Sequence, residues 1–312
     1  MKIGFLFPGQ GSQFVGMCKD LYNQFFVVRN LFEEINEKIG TDIVNVMFNG
    51  PETKLKNTLY TQLAIFLHSI AVYFILKKEN IKASCFAGHS LGEYTAIVAA
   101  ESLSYEEGLK LIKYRAELMS ECNKHKNGKM VAIIGLEYEK VYKICQEISS
   151  SGRIVNIANY NTRTQIVISG ENEAVNNVCE KSLKKGAKKI VPLVVSGAFH
   201  SPLMIDAQER FVKYIDGINL QDAKIPIVLN TSALITQNKD EIKKEIKTHM
   251  ISTVRWYDSI KKMLELGIDT FIEVGPGKVL RGLLLGIDRK IKVFSTYNVS
   301  EIEYTLKNLK IT

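Results

Sequence analysis

The sequence predicts an α/β protein with a mainly parallel sheet, into which a second, smaller unit is inserted. Short apolar runs alternate with amphipathic helical stretches along most of the 312 residues, the pattern left by strand–helix crossovers. One apolar run ends in Gly88-His89-Ser90-Leu91-Gly92 and leads straight into helix-like sequence, giving a strand, a sharp turn and a helix. Residues 129–195 follow an order of their own, strand, helix, strand, strand, helix, strand, which is that of a ferredoxin-like split unit (βαββαβ).

The first strand is read at 3–7, a non-polar run that stops at Pro8-Gly9. Residues 63–76 form an apolar helix, and 85–87 are the core of a second strand that runs into the Ser90 turn. A helix over 104–122 opens on a capping box, in which Ser104 and Glu107 satisfy each other's backbone N–H groups. In the inserted unit, strands are read at 130–134, 154–158, 165–169 and 189–195, with helices at 138–148 and 173–184. The chain then returns to the body with strands at 227–230 and 270–274. Residues 1–127 and 197–312 therefore read as one discontinuous large α/β domain, and 128–196 as the small inserted domain.

A chain of this length with 46% hydrophobic residues can bury a large core. Cys18, Cys85, Cys122, Cys145 and Cys179 are scattered, odd in number and without a Cys-x-x-Cys pair. That usage argues against a disulfide framework or a zinc site and fits a reducing compartment. The apolar start is too short for a signal peptide, and no apolar run is read as spanning a membrane, so a cytoplasmic protein with no membrane partner is expected. The net charge of +8 reflects lysine throughout the chain, with one dense cluster at Lys181, Lys184, Lys185, Lys188 and Lys189. That cluster reads either as a solvated helix end or as a docking surface for an acidic partner. No aromatic residues interleave with it to stack bases, so no nucleic acid is expected as a partner.

In the Gly-x-Ser-x-Gly turn only glycine-sized neighbours avoid collision, which leaves the Ser90 hydroxyl exposed and the Leu91 N–H free to hold an oxyanion. A serine needs a base within hydrogen-bond reach. His89 adjoins the turn and points elsewhere, His68 sits in the apolar helix and His125 in a polar loop. His200 follows the insert's last strand, where the chain re-enters the body and forms a natural cleft wall; His249 is the other candidate. No aspartate lies between Ser90 and His200, so a serine–histidine pair oriented by a carbonyl or an amide is the simpler reading. Arg115 falls in the middle of the inward, apolar stripe of the 104–122 helix. A buried guanidinium needs an acid, supplied either by the protein or by the substrate. Glycine-bearing loops follow the first and last predicted strands, at Pro8-Gly9-Gln10-Gly11 and Val274-Gly275-Pro276-Gly277. Neither has the spacing of a nucleotide loop; Gln10 is placed to give a second oxyanion N–H, or simply belongs to a tight turn.

Four segments together resemble the malonyl-CoA:acyl carrier protein transacylases, in the acyltransferase family of fatty-acid and polyketide synthesis. They are Phe7-Pro8-Gly9-Gln10-Gly11-Ser12-Gln13, Gly88-His89-Ser90-Leu91-Gly92-Glu93, Gly197-Ala198-Phe199-His200-Ser201-Pro202-Leu203-Met204 and Glu273-Val274-Gly275-Pro276-Gly277. The resemblance implies a hydrolase-like body with a ferredoxin-like insert, Ser90 as nucleophile, His200 as its base, Gln10 and Leu91 as backbone oxyanion donors, and Arg115 as the grip on a malonyl carboxylate. It implies malonyl-CoA and an acidic, transiently bound acyl carrier protein as partners. The reaction it implies is ping-pong transfer through a malonyl-serine, with the CoA thioester as substrate, phosphopantetheine on the carrier, and no bound cofactor or metal. A monomer is expected. Phe199 is similar to the residue that malonyl-specific members carry. His249 stands where a glutamine is common, and Arg163, after Asn159 and Asn161, where a proline is frequent. Asn159, Asn161 and His249 are expected beside the substrate. A stand-alone polyketide acyltransferase and a serine acyl-hydrolase on the same fold are the alternatives.

Overall fold

The computed structural model describes residues 1–310 except 34, 126, 127 and 196; the expected domain boundaries at 127 and 196 lie outside the described residues. The strands, in chain order, are β1 (Ile3–Phe7), β2 (Cys85–Gly88), β3 (Gly128–Ile134), β4 (Val155–Thr162), β5 (Gln165–Glu171), β6 (Lys189–Pro192), β7 (Ile227–Val228), β8 (Ile235–Thr236), β9 (Thr270–Glu273) and β10 (Lys292–Ser295). Six of them form one sheet in the order β10-β9-β1-β2-β7-β8, parallel except where β8 runs back along β7. Every residue of β1, β2 and β9 is buried, because helices cover both faces of a parallel sheet. That is why these strands read as continuous apolar runs instead of alternating ones.

The helix Thr58–Lys78 runs through the core of the body. By length and composition it could cross a bilayer, which corrects the reading that no apolar run is long enough; 78% of its most apolar window is buried inside the protein. Gln62 on this helix faces Arg115 on the helix Tyr105–His125, which opens on the expected capping box. There Ser104 Oγ accepts from Glu107 N–H at 3.2 Å, and Glu107 Oε2 accepts from Ser104 N–H at 3.4 Å.

The second sheet has the order β4-β5-β3-β6, antiparallel throughout, with the helices Tyr138–Ser149 and Asn172–Lys184 on one face. Alternation along β3 divides its side chains between two cores: Val131 and Ile133 pack under the insert's helices, while Met130 and Ala132 join the core of the body. At the seam, Tyr160 N–H donates to Val254 O at 2.9 Å and Val254 N–H to Ala158 O at 2.8 Å, tying β4 to the body.

Several bounds differ from those expected. β8 and β10 have no clear signature, one being two residues long and the other opening on Lys292. β6 stops at Pro192, not 195, and a proline has no N–H for the ladder. β4 continues through polar Asn159–Asn161 to Thr162, because those residues pair with β5 across bulges. β7 ends at Val228, which leaves Asn230 beyond the strand.

Candidate active site

β2 ends at Gly88, the helix Leu91–Ala99 begins at Leu91, and Ser90 between them has φ 52° and ψ −107°. Such backbone costs on the order of 1–3 kcal/mol and persists only where its surroundings enforce it. They do: a Cβ at Gly88 would lie 1.9 Å from the Gly92 carbonyl carbon, and one at Gly92 would lie 1.9 Å from Phe7 O. β1 and the elbow are thus pressed together at backbone contact. Asn230 then pins the turn, its Oδ1 accepting from Ser90 N–H at 2.8 Å and its Nδ2 donating to Gly88 O at 2.7 Å.

Ser90 Oγ lies 2.7 Å from His200 Nε2. The other ring nitrogen, Nδ1, is 3.0 Å from both His249 O and Ser252 O, two acceptors, so it carries the proton and Nε2 accepts from the serine. His200 has φ 57°, and Asn156 of the insert donates to its carbonyl at 2.8 Å. His200 is therefore held from the body on one side and from the insert on the other. Burial first, and then the charge of Arg115, lower its pKa from 6.5 to about 3, so the imidazole is neutral and ready to accept a proton.

The remaining histidines do other work. His249 is fully buried; its carbonyl orients His200, while its ring meets Tyr94 and Glu93 behind the cleft. His89 Nε2 is 2.8 Å from Asn161 Oδ1, and its ring lies against Trp256. His68 is buried in the core helix, and burial lowers its pKa to about 3. The side chain of His125 lies outside the described residues.

Arg115 is 1% exposed. Its Nη1 donates to Gln62 Oε1 at 2.7 Å and its Nη2 to Ser90 Oγ at 3.4 Å, and the guanidinium carbon sits 5.0 Å from the centre of the Tyr94 ring. Its Nε is buried without a partner, and among the described residues it forms no ion pair with a carboxylate. An internal acid, one of the two expected partners, is thus replaced by the amide of Gln62. That amide in turn donates to Met119 Sδ at 3.3 Å, which fixes which way its oxygen faces.

The cleft over these groups is lined by Gln10, Gln62, Leu91, Met119, Met130, Asn159, Leu193, Val195 and Phe199 beside Ser90, Arg115 and His200. Gln10 and Leu91 both border it, and among the described residues neither backbone N–H has a hydrogen-bond partner. Two of the residues expected beside the substrate do not line the cleft: Asn161 turns to His89, and His249 stands behind His200. The lysine cluster is also apart from it. Lys189 pairs with Ile134 at one end of the small sheet, whereas the cleft residues Met130 and Leu193 meet at the other, about 13 Å along the strand. The segment Glu273 to Gly277 supports the site from below. Glu273 accepts from Leu280 N–H and Arg281 N–H at 2.9 and 2.8 Å, capping the helix Val279–Ile287, and Gly275 packs on Pro8.

Gln62, Glu93 and Asn230 were not singled out by sequence reasoning. The available signal was a buried amide in an apolar helix and an acid in the first turn of the elbow helix; Asn230 offered none, because its partners lie about 140 residues away.

Residues 4–288 match the family model described as an acyl transferase domain. A malonyl CoA-acyl carrier protein transacylase of Bacillus subtilis is 40% identical over 309 residues, covering 99% of this chain and 98% of that protein. Among solved structures, an acyl carrier protein S-malonyltransferase from Vibrio cholerae superposes with a TM-score of 0.94 at 33% identity, over 98% of this chain and 100% of that one. A malonyl-transacylase in complex with a type II polyketide synthase acyl-carrier protein gives a TM-score of 0.95 at 33% identity, over 99% and 100% of the two chains.

Proposed function

The chain belongs to the acyl transferase family, and we propose that it moves malonyl from CoA to an acyl carrier protein in two half-reactions joined by a malonyl-serine at Ser90. The enzyme is an acyltransferase, and malonyl transfer to acyl carrier protein is the activity carried in its relatives' names. The 2.7 Å contact between Ser90 Oγ and His200 Nε2 is the observation that supports the covalent route.

In the first half-reaction His200 Nε2 takes the Ser90 proton as Oγ attacks the thioester carbonyl. The oxyanion that forms is held by the N–H groups of Gln10 and Leu91, each worth roughly 3 kcal/mol in an enclosed site. Collapse expels the CoA sulfur, which receives the proton from His200. In the second, the phosphopantetheine thiol of the carrier gives its proton to His200 and attacks the ester; collapse expels Ser90 Oγ, which takes that proton from His200, and the malonyl thioester leaves on the carrier. No other cofactor enters either step.

Selectivity rests on Arg115. Gln62 occupies one terminal nitrogen, and Nε is buried without a partner, so the guanidinium keeps donors for a carboxylate. A malonyl carboxylate there also cancels the charge that, after burial, most depresses His200, and so raises the basicity of the imidazole. Acetyl leaves the cation bare and the base weak. Fatty-acid synthesis in the cytoplasm by a monomer is the setting this reading assigns, and the five free cysteines fit it. The superposition on a transacylase bound to a polyketide carrier favours polyketide synthesis as the second reading.

Intact mass spectrometry after mixing with malonyl-CoA is expected to find one malonyl adduct per chain, absent from Ser90→Ala. A native chain without adduct, or an adduct retained by the alanine variant, would refute the covalent route.

A further inference from the structure

Five contacts close a circuit that starts and ends on the nucleophile. Ser90 N–H donates to Asn230 Oδ1 at 2.8 Å, and Asn230 N–H to Glu93 Oε1 at 2.9 Å. Glu93 Oε2 lies 3.3 Å from His249 Nε2; His249 O is 3.0 Å from His200 Nδ1, and His200 Nε2 is 2.7 Å from Ser90 Oγ. Asn230, Glu93 and His249 are 1%, 0% and 0% exposed, so water does not substitute for any link. Among the described residues neither Glu93 Oε2 nor His249 Nε2 forms a hydrogen bond, so their 3.3 Å approach to each other is their one polar contact. A small adjustment that set a proton between them would satisfy both.

We propose that Glu93, Asn230 and the side chain of His249 are positioning residues that lock the backbone of the nucleophile and the ring of the base into one register, with a single proton shared between Glu93 and His249. The inference rests on the reading that Ser90 and His200 carry the acyl transfer. Asn230 fixes the turn on which Oγ is mounted, and the η-turn His249–Ile251 supplies the carbonyl that aims His200. The Glu93–His249 contact joins those two halves across distant parts of the sequence. A carboxylate with one proton beside an imidazole is neutral in total, which suits a dry site that already contains the Arg115 cation.

The charged and titratable groups around the pair are Tyr94 on its own helix, Arg115 on the neighbouring helix, His200 and His89 across the cleft, and Glu245 below Glu93. Burial raises the pKa of Glu93 and lowers that of His249, and both directions favour one shared proton over a fully separated ion pair.

The test uses His249→Gln and His249→Phe, both of which leave the backbone carbonyl in place. The glutamine amide can still donate to Glu93, whereas phenylalanine fills the space and leaves Glu93 unpaired. Single-turnover acylation by malonyl-CoA is expected to stay within about threefold of wild type for His249→Gln and to fall by about tenfold or more for His249→Phe, with KM little changed. A folded His249→Phe protein with wild-type acylation, or a glutamine variant as slow as the phenylalanine one, overturns the proposal. Should His249→Phe not fold, [15N]histidine NMR of the wild-type enzyme decides: His249 is expected to keep one protonation state from about pH 8 to pH 5, and gain of a proton near its ordinary midpoint overturns the shared-proton link. Wild-type enzyme that forms no adduct at all would instead refute the covalent reading, so the two failures are distinguishable.

Discussion

Arg115 is a buried cation held by an amide, a hydroxyl and an aromatic face, with Nε left without a hydrogen-bond partner. Removing it takes away both the acid-binding fork and the second cause of His200's low pKa. Arg115→Ala is therefore expected to lower malonyl transfer by about a hundredfold or more, the scale of breaking a buried ion pair, while acetyl transfer rises relative to malonyl. Rates for both thioesters on the purified variant check this; equal losses would make Arg115 structural. Ser90, Arg115 and His200 are legible in the sequence because each violates its local pattern: a polar residue in a glycine-flanked turn, a charge in an apolar stripe, a histidine at a chain re-entry. Gln62 and Asn230 obey theirs, and only long-range contacts give them meaning.

The strand–turn–helix at Ser90 is the element on which the site depends, and its tolerance is set by backbone atoms that cannot rotate away. A methyl at Gly92 would have to share space with Phe7 O, so Gly92→Ala forces β1 and the elbow apart. The expected cost is about 3 kcal/mol, read as a lower urea midpoint, together with loss of acylation in the protein that remains folded. A midpoint equal to that of wild type would mean that the elbow can relax. Glycine spacing in the sequence was sufficient to foresee this element. It was insufficient for β4, which the apolar pattern ends at 158 and which continues through Asn159–Asn161 because β5 supplies partners.

Across the whole molecule, burial of titratable groups sets the response to acid. His68 and His200 stay neutral to about pH 3 when folded, against 6.5 ordinarily, so their contribution is complete above pH 6.5 and is lost as pH falls toward 3. Glu273, raised by burial from 4.5 to about 7, contributes below pH 4.5 and loses that contribution as pH rises through 7. Between 4.5 and 6.5 the two histidines, which take up two protons on unfolding, outweigh Glu273, which releases one; below 4.5 the histidines act alone. Urea unfolding is thus expected to lose roughly 1–1.5 kcal/mol per pH unit from pH 6.5 to 4.5 and about twice that per unit below 4.5. A stability that stays flat from pH 6.5 to 4.5 would contradict the assignment. The alternation of elements made both sheets foreseeable, but the division of β3's side chains between two cores follows from packing alone.

His200 is clamped by Asn156 on one side and by the carbonyls of His249 and Ser252 on the other. During synthesis the serine emerges from the ribosome well before the last of these clamps. If Ser90 and His200 act as proposed, a half-made chain has a nucleophile with no aligned base and does not squander CoA esters by idle hydrolysis. Reactivity is conferred last, by the closing of the fold itself.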